Sequence, residues 1–356
     1  MPELSRRAYL GSVTAGLVAS SGCLSLGNAF SSSNKKGNIP LANHPNYLDY
    51  DLKFLQEHVM SGGVPKDGIP SIDNPKFVDV SRGNEIMEDG DIVFGVKRNG
   101  VVKAYPQHIL VHHEIVNDVL NDEPVSVTYC PLTGTVIGYR RGDTTFGVSG
   151  NLLNNNLVMY DRATDSRWPQ ILGRAISGSY KNKTLQEFRV IWTTWERWRD
   201  AFPDTQVLSR DTGYARNYEV DPYGAYNPRR GYYKLSASPL FPALRQSDLF
   251  KPKRIVIGAR NRNGAAAFLK DTLRSKKLMR GTIGDSEIIA VYDDELDTGY
   301  IYYTKDTPKL TVKQGQIVNT NGESIEPERL PGSKLLSFDA MWFAWYGLYP
   351  STNVYY

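Results

Sequence analysis

Short apolar runs broken by Gly, Pro and Asn recur along this chain and predict strands far more often than helices. Ile92 to Val96 is an uncharged run, Asn99-Gly100 is the signature of a two-residue hairpin turn, and Val101 to Tyr105 is the returning strand. Pro124 to Tyr129 alternates, with Val125, Val127 and Tyr129 on one face. Val136 to Arg140, Thr144 to Val148 and Leu157 to Tyr160 continue a meander, the last after a polar turn at Asn154-Asn155-Asn156. Helical spacing is confined to a few places. Ile109, Leu110, Ile115 and Val119 predict a helix within Pro106 to Val119. Trp192, Trp195, Trp198 and Phe202 share one side of a short helix that Pro203 ends.

The same succession returns later. Ile92-Val93-Phe94-Gly95-Val96, Asn99-Gly100 and Ala104-Tyr105 reappear as Ile255-Val256-Ile257-Gly258-Ala259, Asn263-Gly264 and Ala267-Phe268. Trp195, Trp198, Phe202-Pro203, Thr205 and Val207 reappear at the same spacing as Trp342, Trp345, Tyr349-Pro350, Thr352 and Val354. A helix is expected near Ala266 to Leu273, strands over Glu287 to Tyr292 and Tyr300 to Tyr303, and a helix over Phe338 to Tyr349. The expected fold is a β-rich α+β chain of two related repeat units, 91–208 and 254–356, each a mainly antiparallel sheet with a short Trp-bearing helix. Residues 39–90 form a lead-in. The connector 209–253 is rich in Tyr, Gly, Pro and Arg and is expected to be ordered, since disordered linkers are poor in aromatics. The first copy carries His108, His112, His113 and Cys130; the second has neither histidine nor cysteine. One working site on a duplicated scaffold is the expectation.

Composition changes the picture little. Lys and Arg total 42 against 38 Asp and Glu, and the basic residues are scattered, which describes a solvated surface and disfavours a nucleic-acid partner. The N-terminus changes it more. Ser5-Arg6-Arg7-Ala8-Tyr9-Leu10 has the twin-arginine export pattern, and Gly11 to Ser21 is apolar but too short to span a bilayer. Ser20-Ser21-Gly22-Cys23 resembles a lipobox, with Ser20 where an aliphatic residue is usual. Residues 1–23 are thus expected to direct export and leave Cys23 lipid-modified, with 24–38 as a flexible tether holding the protein on the outer face of the cell membrane. Cys130 then has no intramolecular partner, so no disulfide scaffold is possible.

Ile69 to Phe77, His113-Glu114-Ile115-Val116-Asn117-Asp118, Tyr129-Cys130-Pro131-Leu132-Thr133-Gly134-Thr135, Phe146 to Gly150 and Met159-Tyr160-Asp161-Arg162 resemble the exported DUF3179 family of bacteria and archaea over roughly residues 68–355. That resemblance implies kinship without a reaction. It also implies that many relatives carry a second cysteine where this chain has Thr133, so Cys-x-x-Cys chemistry is not expected here.

Cys130 ends a strand and enters a Pro-Gly loop, a suitable place for the edge of a site; the alternative is a small buried apolar residue. His113 is the nearest group able to lower a thiol pKa, ordinarily about 8.5, and on a helix Asn117 would share its face. Arg162, Thr164, Ser166, Trp168 and Gln170 alternate along what reads as a strand, predicting either the wall of a ligand pocket or a buried polar network. Three functions follow. His113 and Cys130 could hold copper or zinc. Cys130 could be a nucleophile with His113 as base and Asn117 or Gln170 as orienting group. The polar row could instead serve a non-catalytic binding module for a small molecule.

Overall fold

A computed structural model describes residues 38–356. The export signal, Cys23 and all but the last residue of the tether lie outside the described residues. Among the described residues no helix is long and apolar enough to cross a membrane. The chain is β-rich, with mainly antiparallel sheets and few short helices.

Three sheets come from the N-terminal part. In the first, the order is β12 (Ile191–Thr194), β3 (Ile92–Arg98), β4 (Val101–Pro106), β13 (Gln206–Leu208) and β2 (Phe77–Val78). In the second it is β11 (Glu187–Phe188), β7 (Thr135–Arg140), β6 (Glu123–Cys130) and β5 (Ile115–Leu120). A third sheet, β1 (Met60–Ser61), β8 (Phe146–Leu153), β9 (Asn156–Asp161) and β10 (Arg167–Pro169), belongs to this part alone. The C-terminal part has the order β24 (Ser337–Met341), β16 (Ile255–Arg260), β17 (Ala265–Leu269), β25 (Asn353–Tyr355). It also has β18 (Leu278–Ile283), β19 (Ser286–Asp293), β20 (Thr298–Tyr303), β23 (Lys334–Leu335). The hairpins β14–β15 (Gly224–Tyr226, Arg229–Gly231) and β21–β22 (Thr311–Lys313, Gln316–Val318) complete the strands.

Pairing senses agree between the two parts. β12–β3 and β3–β4 are antiparallel and β4–β13 is parallel; β24–β16, β16–β17 and β17–β25 follow the same sequence. Cys130 closes β6 opposite Thr135, and Asp293 closes β19 opposite Thr298.

The helices are α1 (Leu52–Glu57), α2 (Val80–Ile86), α3 (Gln107–Leu110), α4 (Trp195–Ala201), α5 (Lys270–Lys276) and α6 (Trp342–Leu348). Trp192 and Phe338 lie on strands, so the tryptophan helices are shorter than their spacing predicts. The helix expected over Pro106 to Val119 is a correction. Only one turn forms, and the chain reverses at Glu114 (φ 59°) into β5. The apolar residues at Ile115 and Leu120 are buried because they sit in a sheet, where a short apolar run satisfies either periodicity. Likewise Ala265–Leu269 is a strand, and the helix begins at Lys270.

Each tryptophan helix is pressed onto a glycine. Trp198 covers Gly95 and Trp345 covers Gly258, while the indole N–H groups donate to Thr205 at 2.9 Å and Thr352 at 3.1 Å. A Cβ on Gly95 would stand 2.1 Å from the Trp198 ring. Gly95→Ala is therefore expected to destabilise the protein by about 1–3 kcal/mol through overpacking, read as a lower urea midpoint at an unchanged slope.

Candidate functional site

Cys130 is fully buried at the end of β6. Its sulfur accepts the Leu157 amide N–H at 3.3 Å and its thiol faces the Asn155 carbonyl at 3.6 Å. Asn154 and Asn155, at φ 51° and 63°, make the tight turn between β8 and β9 that delivers both groups. A further neighbour of the thiol comes from far along the chain. The Lys253 ammonium is fully buried, lies 3.0 Å from the Tyr232 ring centroid and 4.8 Å from that of Phe343, and has no hydrogen-bond partner. Burial pushes its pKa down to about 6, and the neighbouring Cys130 thiol opposes that shift. Tyr232 donates to the Leu132 carbonyl at 2.7 Å, pinning the connector to the loop that follows Cys130.

The segment beyond Tyr232 closes the site. Asn155 receives the Phe241 N–H at 2.9 Å and donates to the Phe241 carbonyl at 2.9 Å; Asn154 receives the Leu244 N–H at 2.9 Å and donates to Ala344 O at 3.0 Å.

His113 is not a partner of this thiol. Because the chain turns at Glu114, its ring is held by Pro70 O at 2.8 Å and by the Tyr218 hydroxyl at 2.7 Å. A carbonyl only accepts, so Nδ1 carries the proton and Nε2 accepts from Tyr218, which in turn receives Thr212 Oγ1 at 2.6 Å. Burial lowers the His113 pKa to about 4 and that of His108 to about 3. His112 donates to Val220 O at 3.1 Å.

Asn117 is also placed elsewhere. On β5 it bonds Ser126, Asp73 and both backbone groups of Phe146, tying two sheets together. The polar row from Arg162 to Gln170 does not lie along one strand, because only Arg167–Pro169 is extended. Arg162 reaches Asp67 at 3.3 Å and Asp73 at 3.2 Å near the surface. Thr164 and Trp168 donate to the buried Asp161 carboxylate, and Ser166 joins through the Thr164 hydroxyl. Gln170 alone joins the elements that carry Cys130, bonding Thr128, Thr135 and Asn156. The row is a set of buried braces in place of a pocket wall facing the thiol. Among the described residues no three His, Cys, Asp or Glu side chains come together as metal ligands.

A family model described as "Protein of unknown function (DUF3179)" matches residues 66–352. The chain belongs to the DUF3179 family. No curated protein and no solved structure matches it. In this DUF3179 protein the residue that the sequence did not single out is Lys253, which falls among the scattered basic residues. A signal for it existed. Lys253 stands two residues before Ile255, as Gly90 stands two residues before Ile92. Trp342 N–H donates to Arg254 O and Phe343 N–H to Pro252 O, as Trp195 N–H donates to Asp91 O and Glu196 N–H to Asp89 O. Where one environment has Cys130 and Lys253, the corresponding one has Asp293 and Gly90.

The histidine burial gives a pH prediction. A histidine whose folded pKa lies below its unfolded value binds fewer protons when folded, so stability present above pH 6.5 is lost as pH falls toward 4. Roughly 3 kcal/mol of such loss is expected from His113, and His113→Gln should reduce the difference between urea unfolding at neutral and acidic pH.

Proposed function

We propose that this chain is an exported, lipid-anchored protein built from two related repeat units, and that its one working site is a cysteine nucleophile, Cys130, activated by Lys253. The observation that carries this reading is the buried Lys253 amine, without a hydrogen-bond partner and within electrostatic range of the thiol. A lysine without a partner in the protein interior is costly, and a lowered pKa beside a nucleophile is the arrangement that acid–base chemistry needs. The copper or zinc reading through His113 and Cys130 has no such support, since the ring nitrogens of His113 are occupied by Pro70 and Tyr218.

The chemistry is acyl transfer. Above pH 6 the Lys253 amine is neutral and accepts the Cys130 proton. The thiolate, steadied by the Leu157 N–H and the new ammonium, attacks an acyl carbonyl. A sulfur–carbon bond forms, the bond to the leaving group breaks, and the ammonium returns the proton to that group. Water or a second nucleophile then takes the acyl group from sulfur. Because the thiol is closed to solvent, entry requires the Tyr232-to-Leu244 segment to lift from Asn154 and Asn155. Matching sheet order and pairing in the two parts support the repeat reading, and Asp293 with Gly90 in the second environment explains a single site.

Iodoacetamide labelling of Cys130 across pH tests the pair. The rate is expected to rise near pH 6 in the wild type and to move to the ordinary thiol range near 8.5 in Lys253→Met. Asn155→Ala should speed labelling about tenfold by loosening the cover. A wild-type profile unaffected by Lys253→Met would remove the proposal.

Anchoring is tested by fractionation. The mature protein is expected in the membrane fraction, released by detergent, and Cys23→Ser should be soluble; stable retention calls for more than a single acyl chain.

A further inference from the structure

A second cavity lies on the other side of the β5–β7 sheet from the thiol. Tyr129, whose side chain alternates with that of Cys130, packs against Trp192 at 5.8 Å between ring centroids and faces the Tyr226 hydroxyl at 3.4 Å. Trp192 and Tyr226 in turn line a cleft of 320 Å³ between the N-terminal and C-terminal parts. That volume is within the range of small-molecule sites.

Its charges are nearly all spoken for. Lys270 bonds Asp339 at 2.7 Å and lies 3.7 Å from Asp297; Arg274 holds Asp297 at 2.8 Å and Asp271 at 3.1 Å; Arg254 meets Asp271 at 3.2 Å. Three cations and three carboxylates therefore cancel along the C-terminal wall. Arg229, across the cleft on β15, is different. It is exposed, no carboxylate meets it among the described residues, and it makes a long 3.4 Å donation to Tyr233 O.

We propose that this cleft binds a small aromatic carboxylate. One unmatched guanidinium suits a monoanion, which it grips through two parallel N–H donors. A doubly charged phosphate ester would leave one charge unmet beside a wall already neutral. The planar body lies against Trp192 and Tyr226, where aromatic contacts favour it. This site does not depend on the chemistry assigned to Cys130.

Titration calorimetry of the mature protein with benzoate and indole-3-acetate, against benzamide and phenyl phosphate, tests the assignment. Saturable binding of the carboxylates is expected, with no binding of the amide. Arg229→Gln should weaken it about tenfold or more, and Cys130→Ser should leave it unchanged. Arg229→Lys, expected to retain part of the affinity, and unchanged melting of each variant separate lost binding from lost folding. No saturable heat with either carboxylate, equal affinity in well-folded Arg229→Gln, or tighter binding of phenyl phosphate would each overturn the proposal. Loss of carboxylate binding in Cys130→Ser would overturn its independence from the thiol.

Discussion

Two arginines, one from each part of the chain, hold this molecule together across its middle. Arg189 donates to Ser337 O and Oγ, Thr298 Oγ1 and Gly299 O. In the opposite direction, Arg260, fully buried, pairs with Glu187 at 2.5 Å, and Asn46 adds a further donor to the same carboxylate. Burial pushes Glu187 toward the neutral form while Arg260 draws it back. Taking such charges out of water costs several kcal/mol each unless the partner is in place. The two parts therefore hold one relative placement, because any slippage strands a guanidinium or a carboxylate in the interior.

That placement is what makes the thiol site. The Met341 N–H reaches Thr133 O at 2.9 Å, so the strand before α6 docks on the loop that follows Cys130. Lys253, immediately upstream of β16, is carried in by the same docking and comes to rest under Tyr232. Its unbonded amine is tolerated because the surroundings are overdetermined by backbone and aromatic contacts, which leave it no route to solvent. The opposite side of the sheet carries the paired charges and aromatic rings of the cleft, and the two faces are separated by the strand that holds Tyr129 and Cys130 in alternation.

Strands bounded by turn residues were readable from the chain alone. Asn99-Gly100, both at positive φ, makes the expected hairpin, and the tryptophan helices end at Phe202-Pro203 and Tyr349-Pro350 as their spacing implies. The segment after Pro106 was not readable, because Ile109, Leu110 and Ile115 fit a helix until a left-handed Glu114 breaks the period, and nothing in a glutamate announces that conformation. The solitude of the thiol drew attention to Cys130, and adjacency in sequence favoured His113, whose ring the fold gives to Pro70 and Tyr218. The amine within electrostatic range of the sulfur lies more than a hundred residues away, within a run of basic residues that looks like ordinary surface. The alternating polar residues after Asp161 share the spacing of a strand face, yet a loop lets them converge on one carboxylate.

The division of the site between the two parts has a consequence for the life of the chain. The sulfur belongs to the part synthesised first, and the amine arrives only with the segment that leads into the second. A partly made or partly folded chain thus holds the thiol without its lysine neighbour, and the two come together only after the two parts have docked. Under the proposed chemistry, reactivity of the thiol would be a signature of completed assembly, with Asp293 and Gly90 marking the environment that has neither group.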